Sequence, residues 1–293
     1  MRIKPINFNN QYTRLLSVIT IGLFLTVCSL QIASGQSLQG GTRKQAAIRP
    51  QAVNLLKPVP GRLSSYGLKP NDHVNLWKGD KVIKLWRGDT SAKEITLTFD
   101  DGPHPQFTYR LLELLRQLDV KATFFVVGKK VDESPQVVAD ILQQGHEIGN
   151  HTYHHINLDN TTQAVVEEEI RLCNVAVKKA CGKTPVVFRP PGGHHQQHIM
   201  AGAEKMGMPV ILWTDDPADF AKPGADVILA RILKEVASGS DILLHDGMEQ
   251  TLEMLPELII RLKHDGYRFV TLSEMLRHTE SEHTVLKVKK FPL

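Results

Sequence analysis

The stretch Glu94-Ile95-Thr96-Leu97-Thr98-Phe99-Asp100-Asp101-Gly102-Pro103-His104-Pro105 decides the fold. Ile95, Leu97 and Phe99 alternate with Thr96 and Thr98, the period of a buried strand, and Gly102 with two prolines ends it abruptly. Two adjacent carboxylates therefore stand at the carboxyl end of a strand. Asp and Gly also favour turns for purely local reasons, so the pair gains meaning only from partners elsewhere. Adjacent carboxylates repel, and a site that keeps both ionised offers one of them a cation and leaves the other free to accept a proton.

Outward from this stretch the chain alternates strand and helix. The pattern predicts helices over Thr108–Leu118, Pro135–Gln144 (with Ser134 as its cap), Thr162–Ala180, Ile199–Met206, Asp226–Val236, Leu252–His264 and Ser273–Arg277. Between them it predicts apolar strands at Lys121–Val127, Glu147–Asn150, Pro185–Arg189, Pro209–Trp213, Asp241–His245 and Arg268–Leu272. Short apolar strands separated by helices imply a parallel sheet covered on both faces. The expected class is α/β, an irregular or incomplete (β/α) barrel of about seven strand-helix units, because a complete eight-unit barrel needs about 250 residues.

That domain spans 94–278 of a 293-residue chain, leaving a C-terminal tail at 279–293. Before it, residues 69–93 carry Val82, Ile83, Leu85 and Trp86 between glycines, an N-terminal strand or hairpin extension, and residues 36–68 read as a Gln, Gly, Ser and Pro-rich linker. In residues 1–35, Leu15 to Ala33 is apolar and uncharged, following a basic start. Ala33 and Gly35 have cleavage spacing before Gln36, so the segment reads as a signal peptide, with an uncleaved membrane anchor as the alternative. The protein is expected to be exported, whether secreted, periplasmic or cell-wall associated, and to touch a membrane only through that segment.

The formal charge of +4 falls to +1 once Arg2, Lys4 and Arg14 of the leader are set aside, and no basic cluster advertises nucleic acid. If the helix predicted over Thr162–Ala180 runs unbroken from Cys173 to Cys181, it parts them by about 12 Å at 1.5 Å per residue, too far for a disulfide, and a bridge needs the helix to end before Cys181. Both read as free.

The loops after parallel strands open on one face, so chemistry collects there. They carry Asp100 and Asp101; His151, His154 and His155; Arg189 to Gly192; Trp213, Asp216 and Asp219; and His245 and Asp246. His151 and His155 can bring two imidazoles to one metal, with Asp101 as a third ligand and open positions left for water, the pattern of a catalytic rather than a closed structural site. His154 leaves open which pair binds. Zinc suits this donor set, with cobalt or another first-row ion as an alternative. His194, His195 and His198 read as an exposed polar loop near the site.

The order Thr98-Phe99-Asp100-Asp101-Gly102, His151-Thr152-Tyr153-His154-His155, Arg189-Pro190-Pro191, Asp216-Pro217-Ala218-Asp219-Phe220 and Leu243-Leu244-His245-Asp246 resembles the five motifs of the NodB-homology polysaccharide deacetylases, carbohydrate esterase family 4. The resemblance implies a distorted barrel and a hydrolase that removes N-acetyl groups from an acetylated polysaccharide of peptidoglycan, chitin-like or exopolysaccharide type. It implies Asp100 as general base, Asp101, His151 and His155 as metal ligands, Arg189 holding Asp100, Asp219 orienting His245, and His245 as general acid. Two positions depart from the family pattern: Gly192 replaces an aromatic residue after the paired prolines, and Phe220 replaces a tryptophan. These bear on the sugar groove rather than on the chemistry. The alternatives are an O-acetyl (xylan-type) esterase and a catalytically silent glycan-binding module, the second disfavoured because every acid, base and ligand position is filled.

Overall fold

The computed structural model describes residues 73–290, with side chains to 286. The expectations for residues 1–35 and 36–68 lie outside the described residues. An antiparallel pair, β1 (Leu76–Lys78) and β2 (Lys81–Leu85), precedes β3 (Glu94–Gly102). The order continues with α1 (Pro105–Gln117), β4 (Thr123–Val126), α2 (Gly128–Glu133), α3 (Pro135–Gln143), β5 (Glu147–Asn150), α4 (Gln163–Cys181) and α5 (Gln197–Lys205). It ends with β6 (Val210–Ile211), α6 (Ala225–Glu235), β7 (Ser240–His245), α7 (Glu249–His264), β8 (Arg268–Phe269) and α8 (Leu272–Lys290).

Strands β5, β4, β3 and β7 lie side by side in parallel, with β8 also on β3. Single bridges carry the ring onward, Asn150 to Phe188, Phe188 to Val210 and Asp215 to Ile242, while β2 flanks β6 in parallel. The barrel is therefore irregular, as expected. The strand expected at Pro185–Arg189 shrinks to the one bridging residue, Phe188: Arg189 N donates to the Asn150 carbonyl at 3.0 Å and Phe188 N to the Pro209 carbonyl at 3.1 Å, but Pro185 before and Pro190 and Pro191 after stop the pairing from extending.

Period-two alternation divides each strand between two environments. Ile95, Leu97 and Phe99 of β3, Phe124 and Val126 of β4, and Ile242 and Leu244 of β7 join the apolar cluster shared with the outer helices. The alternate positions, Thr96, Thr98, Asp100 and Asp241, are buried as well, so the barrel interior is polar at its centre. Burying polar groups is costly unless they are hydrogen-bonded, and Thr98, Asp100 and Asp241 are all bonded to one buried guanidinium, that of Arg189.

Several local readings are corrected. Ser134 precedes α3 but makes no side-chain cap; Pro135 at the first turn, which needs no N–H partner, starts the helix instead. Thr162 does cap α4, accepting from Val165 N at 3.4 Å. Helix α4 runs unbroken from Gln163 to Cys181 and both of its cysteines are free. Cys173 is fully buried, and desolvation pushes its thiol up to about 12, so it is inert. Helix α8 continues past residue 278 to Lys290, and Thr279 on it is buried. Among the described residues no helix is long and apolar enough to cross a membrane.

Candidate active site

The strand ends bring the singled-out residues to one face. Asp100 ends the pairing of β3 with β7, where its register partner is His245, and the Asp246 N–H donates to the Asp100 carbonyl at 2.8 Å. His151 follows β5 directly and Arg189 follows the Phe188 bridge.

Arg189 organises the interior. It is fully buried and uses every donor of its guanidinium: Nη1 to Asp100 Oδ1 at 2.9 Å and Thr98 Oγ1 at 2.7 Å, Nη2 to Asp241 Oδ2 at 2.5 Å and the Leu212 carbonyl at 3.3 Å, and Nε to the Ile211 carbonyl at 3.4 Å. Its charge also lies 4.2 Å from the Phe125 ring centre. Asp241 was missed in the sequence reading. Burial pushes its carboxyl up to about 7 against the pull of Arg189, and Thr98 Oγ1 donates to its Oδ1 at 2.8 Å. The available signal was a carboxylate at an inward position of an apolar strand, which must find a cation.

Asp101, His151 and His155 present ligand atoms within 4.8 Å of one another. Asp101 Oδ1 stands 3.0 Å from His155 Nε2 and 3.5 Å from His151 Nε2. Burial opposes ionisation of Asp101, but the two imidazoles outweigh it and hold the carboxyl well below the usual range. His151 Nδ1 lies 2.7 Å from the Arg189 carbonyl, which can only accept, so Nδ1 carries a proton and Nε2 is the nitrogen left to face Asp101. Asp101 Oδ1 is buried yet has no hydrogen-bond partner, although two ring nitrogens face it. Once both rings are neutral, their Nε2 lone pairs face the Asp101 carboxylate with nothing between to satisfy them, and a cation satisfies all three groups. The donor set fits a divalent metal.

Backbone strain builds this cluster. Asp101, Thr152 and His155 all have positive φ, at 69°, 64° and 57°, a cost of about 1–3 kcal/mol each that the surroundings must offset. Asn150 Oδ1 accepts from Thr152 N at 2.9 Å, and Thr152 Oγ1 accepts from His155 N at 3.0 Å. Glu169 of α4, a second residue missed in the sequence, accepts from the N–H groups of Tyr153 and His154 and takes His154 Nδ1 at 2.7 Å. His154 is thereby engaged away from the triad, and the two imidazoles that the structure brings to Asp101 are those of His151 and His155.

On the other side, His245 Nδ1 meets Asp219 Oδ1 at 2.6 Å, and Asp219 Oδ2 accepts from His245 N at 2.9 Å and Thr251 Oγ1 at 2.7 Å. Burial disfavours the charged imidazole, but the bond to Asp219 and the carboxylates beyond it prevail and lift His245 to about 9. Asp216 Oδ1 serves its own loop, accepting from Ala218 N at 2.8 Å.

The two departures have structural counterparts. Gly192 and Gly193 have φ of 66° and 68°; a Cβ on Gly193 would stand 2.5 Å from the Trp213 ring, and one on Gly192 would stand 2.8 Å from His194 Nε2. His194 therefore occupies the space beside residue 192, pinned by Asp159 Oδ1 at 2.9 Å from its Nδ1. His195 Nδ1 donates to the Gly193 carbonyl at 2.8 Å and His198 Nε2 to the Leu158 carbonyl at 2.9 Å, so this histidine loop is tied down and half-buried rather than exposed. Phe220 stands edge-on to His245 at 5.4 Å between ring centres.

The chain is similar to known proteins in sequence and fold. The family model described as polysaccharide deacetylase matches residues 87–211. A peptidoglycan-N-acetylglucosamine deacetylase of Bacillus cereus is 40% identical over 198 residues, 66% of this chain and 92% of that protein. A chitooligosaccharide deacetylase of a Bradyrhizobium species is 34% identical over 204 residues, 64% of this chain and 93% of the other. Among solved structures, a mutant of a CE4 family pseudoenzyme of Bacillus anthracis, with restored enzymatic activity, matches with a TM-score of 0.64 and 29% identity, covering 72% of this chain and 75% of that one.

Proposed function

Because the chain belongs to the polysaccharide deacetylases of carbohydrate esterase family 4, enzymes acting on N-acetyl groups, we propose that it hydrolyses the acetamide of N-acetylglucosamine residues in a polysaccharide. The observation that carries this reading is the triad Asp101, His151 and His155 beside a carboxylate fixed by Arg189, whose register partner on the next strand is an imidazole fixed by Asp219. A divalent metal held by the triad, zinc or another first-row ion, would polarise the acetyl carbonyl and make water more acidic.

The chain's own groups supply the proton transfers. Asp100, with one oxygen bound to Arg189, keeps the other for the proton of the attacking water. Asp241 shares the Arg189 charge, so the guanidinium holds Asp100 in place without tying up both of its oxygens. Of the backbone here only the Gly192 N–H would serve a tetrahedral oxyanion, since Pro190 and Pro191 have none and the Gly193 N–H donates to the Pro190 carbonyl at 2.9 Å. His245, charged through neutrality because of Asp219, donates to the departing nitrogen. An amine leaves only when protonated, whereas an alkoxide is a far better leaving group. An imidazole kept charged to about pH 9 therefore suits an amide more than an O-acetyl ester.

Since a pseudoenzyme shares the fold, filled site positions decide between turnover and silent glycan binding, and here all are filled. Acetate release from peptidoglycan, chitin oligomers and acetylated xylan, each with and without chelator, tests the reading. We expect chelator-sensitive release from the N-acetylated glycans. Release from xylan alone would favour the esterase, and no release from any substrate would favour the binding module.

Export completes the proposal, because peptidoglycan lies outside the cytoplasm. The mature protein should begin near Gln36, and N-terminal sequencing that finds Met1 on membrane-bound protein would favour an anchor instead.

A further inference from the structure

Lys130, on α2, stands behind the candidate ligand Asp101 in the wall of a cleft of about 320 Å³ that Asp101 and His155 also line. Its Nζ donates to the Asp101 carbonyl at 2.6 Å and lies 3.0 Å from His104 Nε2. An ammonium has only donors, so this His104 nitrogen is the bare one of a neutral imidazole.

His104 is itself anchored. Its backbone N–H donates to Thr108 Oγ1 at 2.9 Å, and the Thr108 hydroxyl donates to Asp246 Oδ2 at 2.5 Å. Its ring packs so closely on Gly247 that a Cβ there would stand 3.2 Å away. Contacts thus run from the end of β7 through Thr108 and His104 to Lys130, and from Lys130 to the backbone of Asp101, whose left-handed φ of 69° persists only if its surroundings fix it.

We propose that Lys130 is a positioning residue: by clamping the Asp101 carbonyl against His104, it aims the Asp101 carboxylate at His151 and His155 and so sets the affinity and geometry of the metal site. This rests on the proposed triad. Charge alone predicts the opposite effect, since an ammonium beside a cation site weakens binding and its removal would tighten it.

The test strips the full chain of metal and titrates it with cobalt(II), following the d–d absorption, with thermal unfolding as a check on folding. Wild type should bind and His151→Ala should not. If wild type shows no such binding, the triad reading fails before this proposal is reached. Lys130→Met should weaken cobalt binding about 10–100-fold and shift the absorption band, the usual effect of losing a group that orients a ligand, while Lys130→Arg, which keeps a charged donor, should largely restore both. Binding in Lys130→Met as tight as or tighter than wild type, with an unchanged spectrum, would overturn the proposal. Should that variant fail to fold, His104→Ala takes its place: weaker cobalt binding supports the clamp, and wild-type binding defeats it.

Discussion

His155→Ala is expected to lose its metal and its turnover together. With Nε2 of residue 155 gone, the Asp101 carboxylate and one imidazole remain, and two protein ligands hold a first-row ion far less tightly than three. The metal contributes several kcal/mol to the transition state, so the rate should fall on the order of 10³-fold or more at 1.4 kcal/mol per decade. Folding should survive, because the His155 side chain is 42% exposed and packs into no core cluster. Elemental analysis of the purified variant and acetate release measure the two losses. Chelator should reproduce both in the wild type, and added zinc or cobalt should reverse them. A wild-type protein that contains no metal and keeps full activity in chelator would refute the metal-dependent reading.

The sequence makes this centre legible because strand alternation and strand-helix order together place it. Alternation in β3 and β7 puts Asp100 and His245 at strand ends, and the parallel topology turns those ends to one face. What it conceals is reciprocity. Nothing beside Asp241 announces that it shares a guanidinium with Asp100, since the connection is made through Arg189, 52 residues away. Glu169 looks like one more acid in an acidic helical run, yet it is buried and shapes the loop that carries His151 and His155. Helix α2 is a single short stretch after β4, too brief for periodicity to reveal, and it brings Lys130 to the site. The Phe188 bridge shows the converse. Pro185–Arg189 has strand composition and bonds both neighbours, but prolines bound it so closely that its pairing is confined to Phe188.

Asp100→Asn and His245→Ala should separate the two proton transfers. Asp100→Asn keeps the shape beside Arg189 and leaves Asp101, His151 and His155 intact, so the variant should hold metal while losing about two to four orders of magnitude in rate, the usual worth of a positioned proton-transfer group. Asp241 remains to pair with Arg189, which keeps the buried cation satisfied and the fold intact. His245→Ala should also keep the metal, but its deficit should shrink on an activated aryl acetate, whose leaving group departs without a proton. Asp100→Asn should stay impaired on both substrates. The pH profile adds a second readout. His245 is raised above its ordinary 6.5, so its protonated form, and the stability its bond to Asp219 contributes, are fully present below 6.5 and fade as pH rises through about 9. Turnover of the amide should fall on that alkaline limb, and in His245→Ala the limb should vanish along with the residue that titrates. Near-normal turnover in Asp100→Asn, or loss of metal in His245→Ala, would mean that the base or the acid is some other group.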